Sequence, residues 1–220
     1  MKFDVASFVM SFPVLAGGLV TTVWLTLATT LIGSLIGFIG CVGQLQGRGA
    51  LNWLAQIYVG MFRGLPETVL IFWVYSCVPF IFDVRLSAFT CGVIALSAVA
   101  GAYLTEIFRA GILAIPRGQF EAARALGISM PVMAAYVIIP QAFRVMLPPL
   151  LGLLTIIIKN SGIASAIGVA ELFYKGQIVA ADNFKYLEVF TAVGALYFLI
   201  IFPLSVSSRY LEKRLTVATR

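Results

Sequence analysis

The sequence predicts an all-α membrane protein that crosses the bilayer five times, and three observations support this fold class. Hydrophobic residues make up 61% of the 220 positions and charged residues only 11%, whereas a soluble domain carries about 25% charge. Apolar segments long enough to span a bilayer recur along the chain. The basic residues collect in the connections on one side of those segments, as they do in polytopic membrane proteins.

The five transmembrane helices are predicted from apolar runs of about 20 residues. They cover residues 14–42, 65–82, 88–112, 132–157 and 187–208. The first run contains a series of glycines, which allow close helix packing in lipid. Residues 44–62 carry aromatic and aliphatic side chains at helical spacing, and they predict an amphipathic helix at the membrane surface.

A polar, glycine-containing stretch at 159–183 separates the last two spans. Irregular backbone at membrane depth is tolerated only where protein or a water-filled cavity satisfies its polar groups. Three interpretations therefore stay open for this stretch: an external loop, a re-entrant segment, or a short helix that lines a pathway.

The charge distribution predicts how the chain is oriented. One side of the predicted bundle carries most of the basic residues, namely Arg48, Arg63, Arg109, Arg117, Arg124, Arg144, Arg209, Lys213, Arg214 and Arg220. The opposite side carries Lys2, Asp4, Asp83 and Arg85, together with a longer loop that contains Lys159, Glu171, Lys175, Asp182, Lys185 and Glu188. By the positive-inside rule, the N-terminus is outside, whereas the 113–131 loop and the C-terminus are cytoplasmic.

The composition argues against an enzyme or a metal protein. The chain has no histidine, which removes the commonest general base and the commonest metal ligand. Cys41, Cys77 and Cys91 stand singly in apolar surroundings, without a paired zinc spacing. The net charge of +6 follows the sides of the membrane and does not form a nucleic-acid patch. We therefore expect no cofactor, no metal and no nucleic-acid partner for this chain.

Residues 117–130 predict a short amphipathic helix on the cytoplasmic side. Its alanines have high helix propensity, and Gly127 can adopt the left-handed conformation that ends a helix. The small side chains leave one face low enough for a groove on a partner, and Phe120 and Leu126 would anchor that contact. The alternative is an interfacial helix that only links two spans.

Glu121, Ala122, Ala123, Gly127 and Pro140 share the spacing of one known motif, with aliphatic residues at 137 and 139. This pattern resembles the Glu-Ala-Ala motif of the permease subunits of ABC importers. Five further stretches are similar to the polar amino-acid branch of that family, namely residues 54–66, 101–109, 115–119, 140–149 and 164–172. The likeness extends over nearly the whole chain.

The resemblance implies a type I ABC importer permease fold, with a cytoplasmic coupling helix between the third and fourth spans. It implies that two ATPase subunits contact this helix through Arg117, Gly118, Phe120, Glu121, Ala122, Ala123, Leu126 and Gly127. A second permease subunit, identical or different, would complete the pathway in the bacterial inner membrane, and a periplasmic binding protein would deliver the solute. ATP and Mg would be bound by the ATPases, because this chain has no Gly-x-x-x-x-Gly-Lys-Ser/Thr loop.

Seven residues are candidates for the pathway or for contact with substrate: Glu67, Val99, Tyr103, Glu106, Lys159, Asn160 and Ser161. An acid within a span costs about 2.5–3.5 kcal/mol and therefore needs a partner or a wet cavity. Glu67 is either a pathway carboxylate or an anion at a helix start. Glu106 is expected to pair with Arg109 one turn later, and Lys159 either attracts a substrate carboxylate or snorkels to the interface.

The sequence departs from the family pattern at positions that bear on substrate. Val99 stands where the family commonly has a polar residue, and Asn160 and Ser161 replace an Asp-Thr pair. The solute stays open, from polar amino acids to related compounds, and so does the choice between homodimer and heterodimer. One alternative is that this subunit is the less substrate-engaged half of a heterodimer.

The main alternative function is a self-sufficient secondary carrier or channel for small polar solutes. The modest length and the lack of an inverted repeat count against it, and the cytoplasmic helix would have no role in it. Transport by the lone chain in liposomes, without ATPase subunits, would favour this alternative.

Overall fold

The computed structural model describes residues 3–47 and 49–217. The predictions made for Lys2, Arg48 and Arg220 lie outside these residues. Within the described ranges the chain forms helices and connections without a strand, which confirms the all-α fold class. The helices are α1 Val5–Leu45, α2 Ala50–Gly64, α3 Glu67–Phe82, α4 Ala88–Leu113, α5 Arg117–Ala125, α6 Met130–Met133, a π-helical turn Ala134–Ile138, α7 Ile139–Asn160, a 3₁₀ helix Ser161–Ile167, α8 Leu172–Asn183 and α9 Tyr186–Val217.

Four helical stretches are long and apolar enough to cross a membrane, namely Val5–Leu45, Ala88–Leu113, Met130–Ile167 and Tyr186–Leu215. A fifth crossing can be formed by α2 and α3 together, which meet at an angle of 105°. The bend follows from Pro66, because a proline disfavours helical geometry in the residue before it. Leu65 is accordingly extended, with φ −86° and ψ 138°. The described part of the chain thus has four crossings, or five when the bent pair counts as one, in agreement with the prediction.

The longest helix, α1, packs along α4 through a row of glycines. Gly33 faces Ala100, and Gly37 faces Leu104 so closely that a Cβ atom at position 37 would lie 2.5 Å from the Leu104 Cβ. Small residues permit such close approach in lipid, where van der Waals packing holds helices together. The glycines that predicted close packing in the first span therefore form its contact with α4.

Residues 161–183 form a packed segment that interrupts the regular helix of α7 and continues toward the Asp4 end of the bundle. α7 continues to Asn160, the 3₁₀ helix follows, and Gly168 turns the chain with φ +87°. The segment is packed and not solvated, since Ala164 is completely buried among the core residues of α3 and α4. Of the three interpretations open from the sequence, the external loop and the re-entrant segment do not describe this structure, because the stretch consists of short helices packed within the bundle.

α8 continues toward the end of the bundle that carries the start of α1. Its first turn lies against Gly18, and Lys185 beyond its last turn forms an ion pair with Asp4 at 3.6 Å. The 12 residues of α8 rise about 18 Å at 1.5 Å per residue. The predicted end of the fourth span at residue 157 was therefore too early, and Lys159 lies well below the end of the bundle.

α5 is fastened to the opposite end of the bundle, where α1 and α9 finish. Its inner side belongs to a cluster of buried apolar residues, namely Ile115, Ala123, Met133, Ile138, Ala142 and Met146. The helix ends at Ala125 and is shorter than the predicted 117–130. The reason is local, because Gly127 takes φ +70° and its N–H bonds back to the Arg124 carbonyl at 3.0 Å.

Candidate functional site

The first candidate site is the exposed surface of α5. Six of the predicted contact residues are exposed there: Arg117, Gly118, Glu121, Ala122, Leu126 and Gly127. Residues three or four positions apart lie on one face of a helix, so Gly118, Glu121, Ala122 and Leu126 form one continuous surface, the α5 outer face. Leu126 exposes 77% of its surface and is the large apolar side chain of this face.

Two of the predicted contact residues point inward. Ala123 is buried, and Phe120 packs against the same apolar cluster at the base of α5. They lie three positions apart and therefore share the helix face opposite the α5 outer face. Phe120 and Ala123 hold α5 to its own chain, so Leu126 is the predicted anchor whose side chain is left exposed, and a contact of either anchor with a partner stays a prediction.

The C-terminal end of α5 has the geometry of a Schellman motif. The Gly127 N–H bonds to the Arg124 carbonyl and the Ile128 N–H bonds to the Ala123 carbonyl, both at 3.0 Å. Gly127 occupies the left-handed position of this motif, and a residue with a Cβ atom is disfavoured there. Ile128 packs on the apolar cluster that contains Ala123. The end of α5 is thereby defined by backbone hydrogen bonds and by an apolar contact.

The second candidate site is a narrow space between α3, α4 and α7, the pathway cavity. It is lined by Glu67, Leu96, Val99, Ala100, Tyr103, Leu153, Ile156, Ile157 and Asn160. Four of the predicted pathway residues, Glu67, Val99, Tyr103 and Asn160, meet here. The Asn160 Nδ2 donates a hydrogen bond to the Glu67 carboxylate, across 93 positions of sequence.

The pathway cavity is nearly closed in this structure. Its volume is about 10 Å³, the space that one water molecule needs. Small-molecule sites usually measure about 300 Å³ or more. Apart from Glu67, Tyr103 and Asn160, its walls are aliphatic, so a polar solute would meet few but concentrated hydrogen-bonding groups. Such a solute fits only after α3, α4 and α7 separate or when a neighbouring surface extends the cavity.

Both interpretations of Glu67 from the sequence, an anion at a helix start and a carboxylate beside the pathway, describe its place in the structure. It is the first residue of α3, directly after Pro66, where a helix dipole favours an anion. It also borders the pathway cavity, because the start of α3 forms one wall. Its partner is Asn160 and not Arg63, whose guanidinium lies 5.2 Å from the centre of the Tyr103 ring.

Glu106 forms an ion pair one turn along α4 from the pathway cavity. Its Oε2 lies 2.8 Å from the Arg109 Nη2, at the predicted i, i+3 spacing, and both side chains are about a third exposed. The predicted intrahelical pair is confirmed. Glu106 does not line the pathway cavity, because it lies one turn from Tyr103 toward α5.

Lys159 and Ser161 also lie outside the pathway cavity. Lys159 borders a separate groove of about 500 Å³, whose other lining residues are Gly162, Ile163, Phe173, Tyr197 and Ile201. Ser161 is completely buried and donates to the Ile158 carbonyl at 2.8 Å. Consecutive helical residues point in different directions, so Asn160 alone of these three reaches Glu67.

Glu171 is a buried polar centre that the sequence reasoning missed as a functional residue. Its side chain is completely buried and accepts hydrogen bonds from the N–H groups of Phe173 and Tyr174, at 2.9 and 2.7 Å. A signal was available, because an acid in an otherwise apolar stretch is costly at membrane depth and implies a specific environment.

Comparison with known proteins gives the family. Residues 5–217 match the family described as "binding-protein-dependent transport system inner membrane component". The chain is 37% identical over 205 residues to the L-cystine transport system permease protein TcyB of Bacillus subtilis (strain 168), covering 93% of this chain and 87% of that protein. It is 36% identical over 218 residues to the glutamine transport system permease protein GlnP of Escherichia coli (strain K12), covering 99% and 100%.

Solved structures agree with this family. A crystal structure of an amino acid ABC transporter with histidines matches with a TM-score of 0.87 and 34% identity, over 97% of this chain and 100% of that chain. The inward-facing MetNI methionine ABC transporter shares the fold, with a TM-score of 0.76 at 20% identity, over 93% of this chain and 97% of that chain. These neighbours are ABC transporters and not secondary carriers, which sets the alternative function aside. The chain belongs to the binding-protein-dependent transport system inner membrane components, and it is the multi-pass permease subunit of an ABC importer that acts with a substrate-binding protein and an ATPase.

Proposed function

We propose that this chain is one permease subunit of a bacterial inner-membrane importer for polar amino acids. The observation that carries the proposal is the pathway cavity, in which Glu67, Asn160 and Tyr103 meet among aliphatic walls. A carboxylate attracts the ammonium group of an amino acid, and the attraction is stronger where apolar walls exclude water. Permeases named for cystine and glutamine, and a transporter crystallised with histidines, support the amino-acid class.

A second permease subunit, identical or different, would complete this pathway. Ile156 lies in the wall of the pathway cavity, yet 46% of its surface is exposed. Apolar side chains at a cavity edge leave a surface that another subunit can cover. The solute would then pass between the two permeases, with Glu67 and Asn160 on one side of the route.

The α5 outer face is the proposed contact with the ATPases, of which two would serve a pair of permeases. The same end of the bundle carries a concentration of basic residues, namely Arg109, Arg117, Arg124, Arg144, Arg209, Lys213 and Arg214. By the positive-inside rule this end is cytoplasmic and the Asp4 end is periplasmic. ATP and Mg would be bound by the ATPases, and the binding protein would deliver solute at the Asp4 end.

The packing suggests how movement at α5 would reach the pathway cavity. The inner side of α5 shares its apolar cluster with Met146 of α7 and with Ile107 of α4. Further along the same two helices, Leu104 and Leu153 pack together beside the pathway cavity. Interiors packed this closely transmit displacement. ATP-driven displacement of α5 would therefore shift α4 and α7, which form two walls of the cavity.

Reconstitution tests this function directly. The chain would be placed in proteoliposomes with its ATPase, its second permease and its binding protein, and uptake of a panel of radiolabelled amino acids would be measured. We expect uptake of at least one polar amino acid, dependent on ATP and on the binding protein. Uptake by the lone chain without ATPase, or import of a chemically unrelated solute alone, would contradict the proposal.

Replacement of Glu67 by Gln tests the charge in the pathway cavity. Hydrogen bonds to a charged group contribute about 1.5–3 kcal/mol, so we expect uptake of a cationic amino acid to fall about tenfold or more. Uptake of a neutral amino acid should fall less, because it presents one cationic group fewer. Asp83→Asn at the exposed far end of α3 is the matched control, and equal losses for both solutes with Glu67→Gln would contradict this role.

A further inference from the structure

The packed segment, residues 161–183, is held by a buried polar contact that joins three helices. Glu171 accepts hydrogen bonds from the Tyr197 hydroxyl of α9 at 2.9 Å and from the Thr22 hydroxyl of α1 at 3.5 Å. The Thr22 hydroxyl in turn accepts the Leu172 N–H at 3.1 Å. We call Thr22, Glu171 and Tyr197 the clasp.

The composition of the clasp is unusual for a structural contact in lipid. Glu171 is completely buried, and within the described residues it forms no ion pair. A buried carboxylate without a cation persists only where hydrogen-bond donors surround it. Glu171 has four such donors, of which the N–H groups of Phe173 and Tyr174 cap α8, while the two hydroxyls belong to other helices. A cap alone would need only the N–H groups.

The clasp is connected to the pathway cavity by a short, tightly packed piece of chain. Eleven positions separate Asn160, which bonds to Glu67, from Glu171. Between them, Ala164 and Ile167 are buried in the core that also contains Val99 of the cavity wall. The Tyr197 hydroxyl lies beside the start of this piece as well, 3.4 Å from where a Cβ atom on Gly162 would be. Tyr197 therefore contacts the segment near both of its ends.

We propose that Glu171 is a positioning residue, which through the clasp holds the packed segment so that Asn160 meets Glu67 and the pathway cavity stays closed. This inference rests on the proposed function for its role in transport. Glu171 does not line the cavity and acts through the backbone of residues 160–171. Loss of the clasp should loosen that segment and increase access to the cavity without unfolding the bundle.

Tyr197→Phe is the decisive variant, because it removes one hydroxyl and leaves the cap of α8 intact. The background is Cys77→Ser, since Cys41 and Cys91 are buried. The reporter is Ile157→Cys in the cavity wall, because only 5% of Ile157 is exposed. We expect its labelling by a water-soluble maleimide, in the assembled complex, to become about tenfold faster, as for loss of one hydrogen bond to a charged group. Tyr186→Phe, in the same helix with an exposed ring stacked on Phe190, should leave the labelling rate unchanged.

A transport measurement separates positioning from simple stabilisation. Tyr197→Phe should lower the maximal uptake rate while the concentration of loaded binding protein that gives half-maximal uptake stays the same, because the clasp is internal. Glu171→Gln should act in the same direction, and if it fails to fold, Tyr197→Phe still decides. An unchanged labelling rate, or faster labelling with unchanged maximal uptake, would overturn the inference. A wild-type complex that imports no amino acid would refute the proposed function and leave the labelling comparison valid.

Discussion

Replacing Leu126 by Ser is expected to remove most ATP-driven uptake while the chain still folds and inserts. Leu126 exposes 77% of its surface on the α5 outer face, so its loss leaves no cavity in the permease. Removing a buried leucine side chain from a contact costs about 1.5–3 kcal/mol, which corresponds to roughly a 10- to 150-fold loss of affinity for the ATPase. Co-purification of the ATPase and uptake in proteoliposomes, at equal permease content, measure the effect.

Two further variants distinguish a lost contact from a damaged fold. Leu126→Met keeps the apolar volume and should retain association, since such exchanges cost little. Phe120→Ala should instead lower the thermal stability of the permease, because Phe120 packs inward on the apolar cluster. Full association and uptake with Leu126→Ser would show that the α5 outer face is not the ATPase contact.

Gly37→Ala is expected to destabilise the bundle, although the substitution adds only one methyl group. The added Cβ atom would lie 2.5 Å from the Leu104 Cβ and 3.1 Å from the Leu104 carbonyl carbon, and backbone atoms cannot rotate away. Overpacking of this kind costs about 1–3 kcal/mol. The free energy of unfolding, measured by reversible denaturation in mixed detergent micelles, should fall by that amount.

Gly17→Ala is the control for this change, because it lies in the same helix and has no heavy atom within 4 Å of the added Cβ position. It shares any effect on helix propensity, and its stability should stay within about 0.5 kcal/mol of the wild type. If Gly37→Ala is as stable as Gly17→Ala, the close approach of α1 and α4 does not limit the stability of the bundle.

The fold class could be predicted because lipid leaves few alternatives. Backbone polar groups have no water to bond to inside a bilayer, so long apolar runs must become helices. The left-handed conformation of Gly127 could be predicted for a comparable reason, since few other residues adopt it, although the helix ends earlier than the predicted residue 130. The prediction for the α5 contact was less complete, because the packing of α5 against other helices decides which side of it faces inward.

The contacts that form the pathway cavity could not be predicted from the sequence. Glu67 and Asn160 were both candidates, but no local rule connects two residues that are 93 positions apart. Lys159, Asn160 and Ser161 looked like one group in sequence, yet the rotation of α7 directs only Asn160 toward Glu67. The course of residues 161–183 was one of three possibilities, because the packing of Ala164 and Ile167 against other helices decides it.

The amino-acid pattern alone was enough to establish a helical membrane protein, the seam of glycines in α1 and the closure of α5, because each depends on a few neighbouring residues and on the solvent. Only the packed structure decided that Glu67 meets Asn160, that Glu171 is enclosed by Thr22 and Tyr197, and that Phe120 faces inward. These contacts depend on the rotation and depth of each helix relative to the others. The van der Waals fit of many side chains at once sets those two quantities, so no single segment encodes them.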